Sequence, residues 1–178
     1  MVKIRLSLNW VFRAMMLALI VRAQDLGADP ALIGAMYACL GAGGIVGAVI
    51  APRIRTRIGP SATLLGTVWL WVAMMALLPV VPNVLTIGVV AGLGVVASPS
   101  FNVVIATAMY AVTPDRLLGR VRSVVKLVAW GAIPFGSLAG GVLAGGLGAM
   151  PALMALAGVM LVVAIAATTS RSLRSAPA

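Results

Sequence analysis

The chain has 178 residues, of which 62% are hydrophobic and only 9% charged. A soluble domain is about 45–50% apolar and about 25% charged, and a water-soluble body of this size lacks the interior to bury so much apolar surface, whereas a bilayer acts as the solvent for it. The 13 Lys and Arg against three acids give a net charge of +10, but they stand in short clusters between long apolar runs, which excludes a nucleic-acid-binding face and matches membrane-protein loops.

Long uncharged runs break at Pro, Gly and Arg clusters. Since a bilayer core takes about 20 helical residues, the pattern predicts an all-α integral membrane protein of about six transmembrane helices in a single domain. The spans are residues 6–21, 31–51, 61–81, 84–112, 121–147 and 150–169. Span 1 is short and holds Asn9 and Arg13, and its arginine could snorkel to an interface. Residues 1–23 could also be read as a signal peptide. Arg13 interrupts the basic-then-apolar order that such a peptide needs, and five spans in the same orientation would remain. Spans 4 and 5 are long and carry Pro99 and Pro134, which predicts a kink or tilt in each.

Six crossings put Lys3, Arg5, Arg53, Arg55, Arg57, Arg116, Arg120, Arg122, Lys126, Arg171 and Arg174 on one side of the membrane. The other side receives Arg22 with Asp25 and Asp29. The positive-inside rule makes the basic side cytoplasmic, with both termini there, in a multi-pass protein of the plasma (inner) membrane.

Helices in lipid associate through small residues that let backbones approach. Span 2 carries Gly34, Ala38, Gly41, Gly44 and Ala48, with Gly43 and Gly47 as a G-x-x-x-G pair, and span 5 carries Ala132, Gly136, Gly140, Ala144 and Gly148 beside Ser137, Gly141 and Gly145. These rows predict smooth faces. Gly43, Gly47, Gly136, Gly140 and Gly141 serve either packing inside the bundle or contact with a second six-helix bundle. Span 4 carries Gly94, Ser98, Asn102, Ala106 and Tyr110 every four residues. Polar groups at membrane depth face a bundle interior or a water-filled cavity. Asn102, Ser98, Ser100, Trp130 and Arg13 are therefore the candidates for a substrate cavity, each also open to a packing or snorkelling role.

No carboxylate falls within a span, so proton coupling, which uses Asp, Glu or His at depth, is not expected of this chain alone. His is absent and Cys39 is the one cysteine. No metal, cofactor, disulfide or acid–base catalytic pair is expected, nor a phosphate-binding G-x-x-x-x-G-K-[ST] loop.

Two segments carry a recognisable form. One is Gly47-Ala48-Val49-Ile50-Ala51-Pro52-Arg53-Ile54-Arg55-Thr56-Arg57-Ile58-Gly59-Pro60. The other runs Pro114-Asp115-Arg116-Leu117-Leu118-Gly119-Arg120-Val121 and on to Gly131, Pro134, Gly136, Gly140 and Gly141. Together they resemble the second half of major facilitator superfamily exporters, in the branch of enterobactin exporters and macrolide-efflux-like proteins, over residues 18–169. The resemblance implies the C-terminal half of a twelve-helix bundle that exports a small amphipathic organic molecule by alternating access. The lipid bilayer, a small-molecule substrate and a second six-helix half, as a separate chain or a second copy, would be its partners; a non-transporting scaffold is the other reading. Asp115, Gly119 and Arg120, with Arg53 and Arg57, would belong to cytoplasmic gating loops. Pro52 stands where the family often has an acid, which leaves no Asp–Arg latch at that place. Spans 1 and 4 would line the cavity, spans 2 and 5 would face the other half, and spans 3 and 6 would lie outside.

A reporter fused after Arg55 is expected to read cytoplasmic and one fused near Gly27 external; the opposite pattern would reverse the topology.

Overall fold

In the computed structural model, residues 2–170 are described, with the backbone alone for residues 2–7, 55, 112, 115, 129 and 132. Seven helices follow in order: α1 (Val2–Asp25), α2 (Pro30–Arg57), α3 (Pro60–Leu77), α4 (Val84–Val95), α5 (Ser98–Val112), α6 (Asp115–Leu147) and α7 (Ala149–Thr169). A 3-10 turn, Leu78–Val80, extends α3. Five apolar stretches among the described residues, with α4 and α5 forming one, are long enough to cross a membrane.

The helix ends follow from local chemistry. Gly27 takes a positive φ of 75°, which lets the Ala28 N–H donate back to the Ala23 carbonyl at 3.0 Å and close α1. Asp29 then opens α2: its carboxylate accepts from the Leu32 N–H at 2.7 Å, with Pro30 in the first turn. Asn83 caps α4 in the same way, accepting from the Leu85 and Thr86 N–H groups. A single residue, Gly148 with φ 87°, separates α6 from α7.

Several boundaries move from the sequence-based ones. Span 1 is a helix of 24 residues, not a short segment. Helix α2 passes through Pro52 to Arg57, so Arg53 and Arg57 lie on helical turns and not in a loop. Helix α6 begins at Asp115, which places Gly119 and Arg120 on helix as well. Pro114 holds the cap position, and its carbonyl accepts from the Leu117 N–H at 2.9 Å. Span 4 is interrupted at Val96 and Ala97, between α4 and α5. Pro99, having no N–H, leaves the Val95 carbonyl without its helical partner there.

Two closely apposed pairs organise the bundle. Helix α2 packs on α4 and α5, and α6 packs on α1. A Cβ on Gly43 would run into the Gly92 carbonyl oxygen, and one on Gly47 into that of Val96. On the other side, a Cβ on Gly136 would stand 2.7 Å from the Trp10 oxygen, and one on Gly140 2.5 Å from the Ala14 oxygen. Only glycine permits such approach. Both partners advance four residues together in each pair, so the helices of each pair are parallel. The arrangement repeats: α2, second in the first triplet of spans, presses its glycine pair on the first helix of the second triplet, and α6 does the converse. Each triplet of spans thus lends its second helix to the first helix of the other.

Helix α1 contributes a buried stripe, Leu8, Val11, Ala14, Met15, Ala18, Leu19 and Ala23, to the core. The Tyr37 hydroxyl of α2 donates to the Met16 carbonyl of α1 at 2.7 Å, tying the two pairs together. Helix α7 packs on α1 and α3 and buries Leu153, Leu156 and Met160. The glycine rows of spans 2 and 5 thus do pack inside the bundle through Gly43, Gly47, Gly136, Gly140 and, against Leu17, Gly141. The second row of α2 stays uncovered, with nothing within 4 Å of the Cβ positions at Gly34 and Gly41.

Gly43→Val and Gly140→Val should each destabilise the folded chain by about 1–3 kcal/mol, the usual overpacking cost, whereas Gly34→Val and Gly66→Val, with open space around them, should change little. Unfolding in mixed micelles of detergent and SDS checks this contrast.

Candidate functional site

Arg13 is the one charged residue near the middle of α1, whose 24 residues run from Val2 to Asp25. It is exposed on the surface of the six-helix unit. Eleven residues separate it from the first described residue of α1, a rise of about 16 Å. Its Cβ lies 3.2 Å from where a Cβ of Gly136 would stand, so α6 runs close beside its stem. A guanidinium facing lipid at a helix centre costs about 2.5–3.5 kcal/mol on insertion scales, and this surface is thus suited to water or protein.

The other cavity candidates are dispersed. Trp130, on α6, is 69% exposed and lies six residues before Gly136. Asn102 is exposed on α5. The α2–α4 register, Gly47 against Val96, continued for six residues, brings Asn102 level with Arg53. It is therefore near the arginine-bearing end and not at the deepest point. Ser98 is half-buried at the start of α5. Ser100 is 4% exposed and its Oγ has no hydrogen-bond partner, so its side chain lies inside the unit, away from the exposed face that carries Asn102.

Sequence reasoning missed the role of Trp71. Its indole N–H donates to the Gly94 carbonyl at 2.8 Å, and its ring meets Phe101 at a centroid distance of 5.5 Å. One side chain of α3 thereby holds the last turn of α4 and the first turn of α5 across the break. Gly94 has no Cβ, which would collide with the Met74 sulfur. The signal available in the sequence was only a tryptophan at span depth opposite a Gly/Pro-interrupted span, and this does not specify the pairing.

At the arginine-bearing end, Arg53, Arg57, Gly119 and Arg120 are exposed. Asp115 opens α6, and its side chain lies outside the described residues, as do Arg171 and Arg174 altogether. The polar contact found there joins α5 to α6: the Arg122 guanidinium stands 5.5 Å from the centre of the Tyr110 ring, within the range of a cation–π interaction.

A family model described as transmembrane secretion effector matches residues 6–177. The chain belongs to this family. It is accordingly a member of the major facilitator type, a transporter family and not an enzyme family, and its apolar helices make it a multi-pass membrane protein. Neither the curated proteins nor the solved structures returned a match. In this secretion-effector chain the match begins within α1, so α1 counts among the family's own helices.

Trp71→Phe keeps the ring contact with Phe101 but removes the bond to Gly94. It should cost about 0.6–2 kcal/mol, the worth of an interhelical hydrogen bond in a membrane, measured in the same mixed-micelle unfolding; Trp71→Ala should cost more.

Proposed function

We propose that the chain is one six-helix wall of an alternating-access exporter of small amphipathic organic molecules, working with a second six-helix half. The observation that carries this reading is Arg13, a charge exposed at the middle of a helix that the family match includes. Lipid does not hold such a group cheaply. A cavity between two halves supplies water and a ligand for it, and an anionic or strongly polar group on the transported molecule complements it. Substrate sites in such folds lie near the bilayer midplane at the junction of the repeats. One half provides one wall, and rocking of two halves provides alternating access.

The interrupted helix formed by α4 and α5 supports the same reading, because discontinuous helices line cavities in transporters and Trp71 bridges the interruption here. Asn102 and Trp130 add an amide and an indole on exposed faces, and Arg53, Arg57, Gly119, Arg120 and Asp115 form the cytoplasmic gating turns. The uncovered row Gly34, Ala38 and Gly41 of α2 admits another helix at short range. That helix belongs to the second half, which is either a separate chain or a second copy in a two-fold dimer.

The test is efflux of the anionic dye calcein and the cationic dye ethidium from cells carrying the complete locus with its upstream flank, compared with the chain alone. Efflux is expected only when a second half is present, or from the chain alone if it dimerises, and Arg13→Gln should cut it at least tenfold, more for calcein. Undiminished efflux by the Arg13→Gln protein would remove the cavity role, and no efflux in any arrangement would remove the transport reading.

A further inference from the structure

Helix lengths at the arginine-bearing end do not match. Helix α7 has 21 residues, a rise of about 31 Å, which fills a hydrocarbon core of about 30 Å. Helix α6 has 33, a rise of about 50 Å. The two meet at the single residue Gly148, so their ends there are level and the surplus of α6 lies at its other end. Counting back from Leu147, the first twelve residues, Asp115 to Lys126, exceed the length of α7. Three turns of α6 thus project beyond the hydrocarbon.

These turns are amphipathic. At 100° per residue, Arg116, Arg120, Arg122 and Lys126 fall on one side of the helix, and Leu117, Val121, Val124 and Val128 on the other. All four cations are exposed, and so are Leu117, Val124 and Val128, Val124 at 59%. The apolar stripe is therefore not consumed by packing inside the unit. An exposed apolar stripe beside a basic one, at the level where a bilayer's headgroups lie, fits a membrane interface. Arg122 on the Tyr110 ring fixes the α5–α6 corner from which the segment rises.

We propose that the first three turns of α6 form a docking surface for the anionic phospholipid headgroups of the leaflet at this end. The phosphates pair with Arg120 and Lys126 at the near turns, and Val124 and Val128 enter the acyl boundary, while Arg116 and Leu117 stand farther out. The occupant follows from charge complementarity. The patch is uniformly cationic over its described side chains, and the lipid phosphate is the anion that a helix at this depth meets. The surface depends on the chain being membrane-embedded and not on its transporting anything.

The experiment is hydrogen exchange with mass spectrometry on the full chain in nanodiscs of phosphatidylcholine, with and without phosphatidylglycerol. Amides 115–126 are followed, and α7 is the internal reference. Each cation beside an anionic surface is worth about a fivefold preference, so phosphatidylglycerol should slow exchange in the segment at least fivefold while α7 is unchanged. Raised salt should reverse the slowing, and R120Q/K126Q should reduce it. Because the lipid comparison uses the unaltered chain, it stands even if the variant fails to fold. Equal exchange in the two lipids, or slowing spread equally over α7, overturns the proposal. Loss of dye efflux would leave this result untouched, which separates it from the transport reading.

Discussion

In a bilayer, apolar side chains gain little by leaving lipid for protein, so what holds helices together is how near their backbones come. Two contacts of that kind set the architecture: Gly43 and Gly47 against the carbonyls of Gly92 and Val96, and Gly136 and Gly140 against those of Trp10 and Ala14. The rest depends on them. They fix α2 parallel to α4 and α6 parallel to α1, and the Tyr37–Met16 hydrogen bond between the two pairs then sets how they face. The parallel α1–α6 register also makes α1 a partner of a membrane-crossing helix, although α1 is not among the five stretches that qualify by length and composition among the described residues. The proposed depth of Arg13 rests on that register.

The fold was largely legible in the sequence because apolar length and charge placement are one-dimensional signals. An all-helical chain of five to six apolar spans, the glycine rows and a break near Pro99 were readable; what the glycine rows pack against was not. Helix ends were not. Pro52 and the Pro114–Arg120 segment read as loops, since proline and clustered arginines mark loops in most chains, yet α2 and α6 continue through them as helix. The caps at Asp29 and Asn83 were in plain view as Asp-Pro and Pro-Asn pairs, but nothing in an apolar periodicity draws the eye to them. Which helix touches which was not legible, because the two triplets share the glycine spacing without sharing a sequence.

Of the candidate site residues, the sequence separated depth poorly. Ser100 and Asn102 are two residues apart and end in opposite environments, one buried with a bare hydroxyl and one exposed. A four-residue polar row does not say how the break before α5 turns the helix. Trp71 shows the complementary limit. A broken helix needs a partner for its freed carbonyls, but that the partner is an indole from α3, and the carbonyl that of Gly94, emerges only once the helices are assembled. The proposed function rests on an imbalance: a structure that satisfies its backbone so closely leaves a guanidinium exposed midway along α1, and the proposed second half, with water between the two, would accommodate it.

The orientation of α1 is the point on which the register, the depth of Arg13 and the cavity all rest. Spin labels at exposed Gln24 and Gly146, and at Gln24 and Arg120, with Cys39→Ser to remove the native thiol, measure it directly by pulsed dipolar spectroscopy in nanodiscs. A parallel, fully crossing α1 predicts that the Gln24–Gly146 distance is shorter than the Gln24–Arg120 distance by about 30 Å, the thickness of the hydrocarbon core. Equal distances, or the reverse order, would contradict the pairing of α1 with α6 and with it the placement of Arg13.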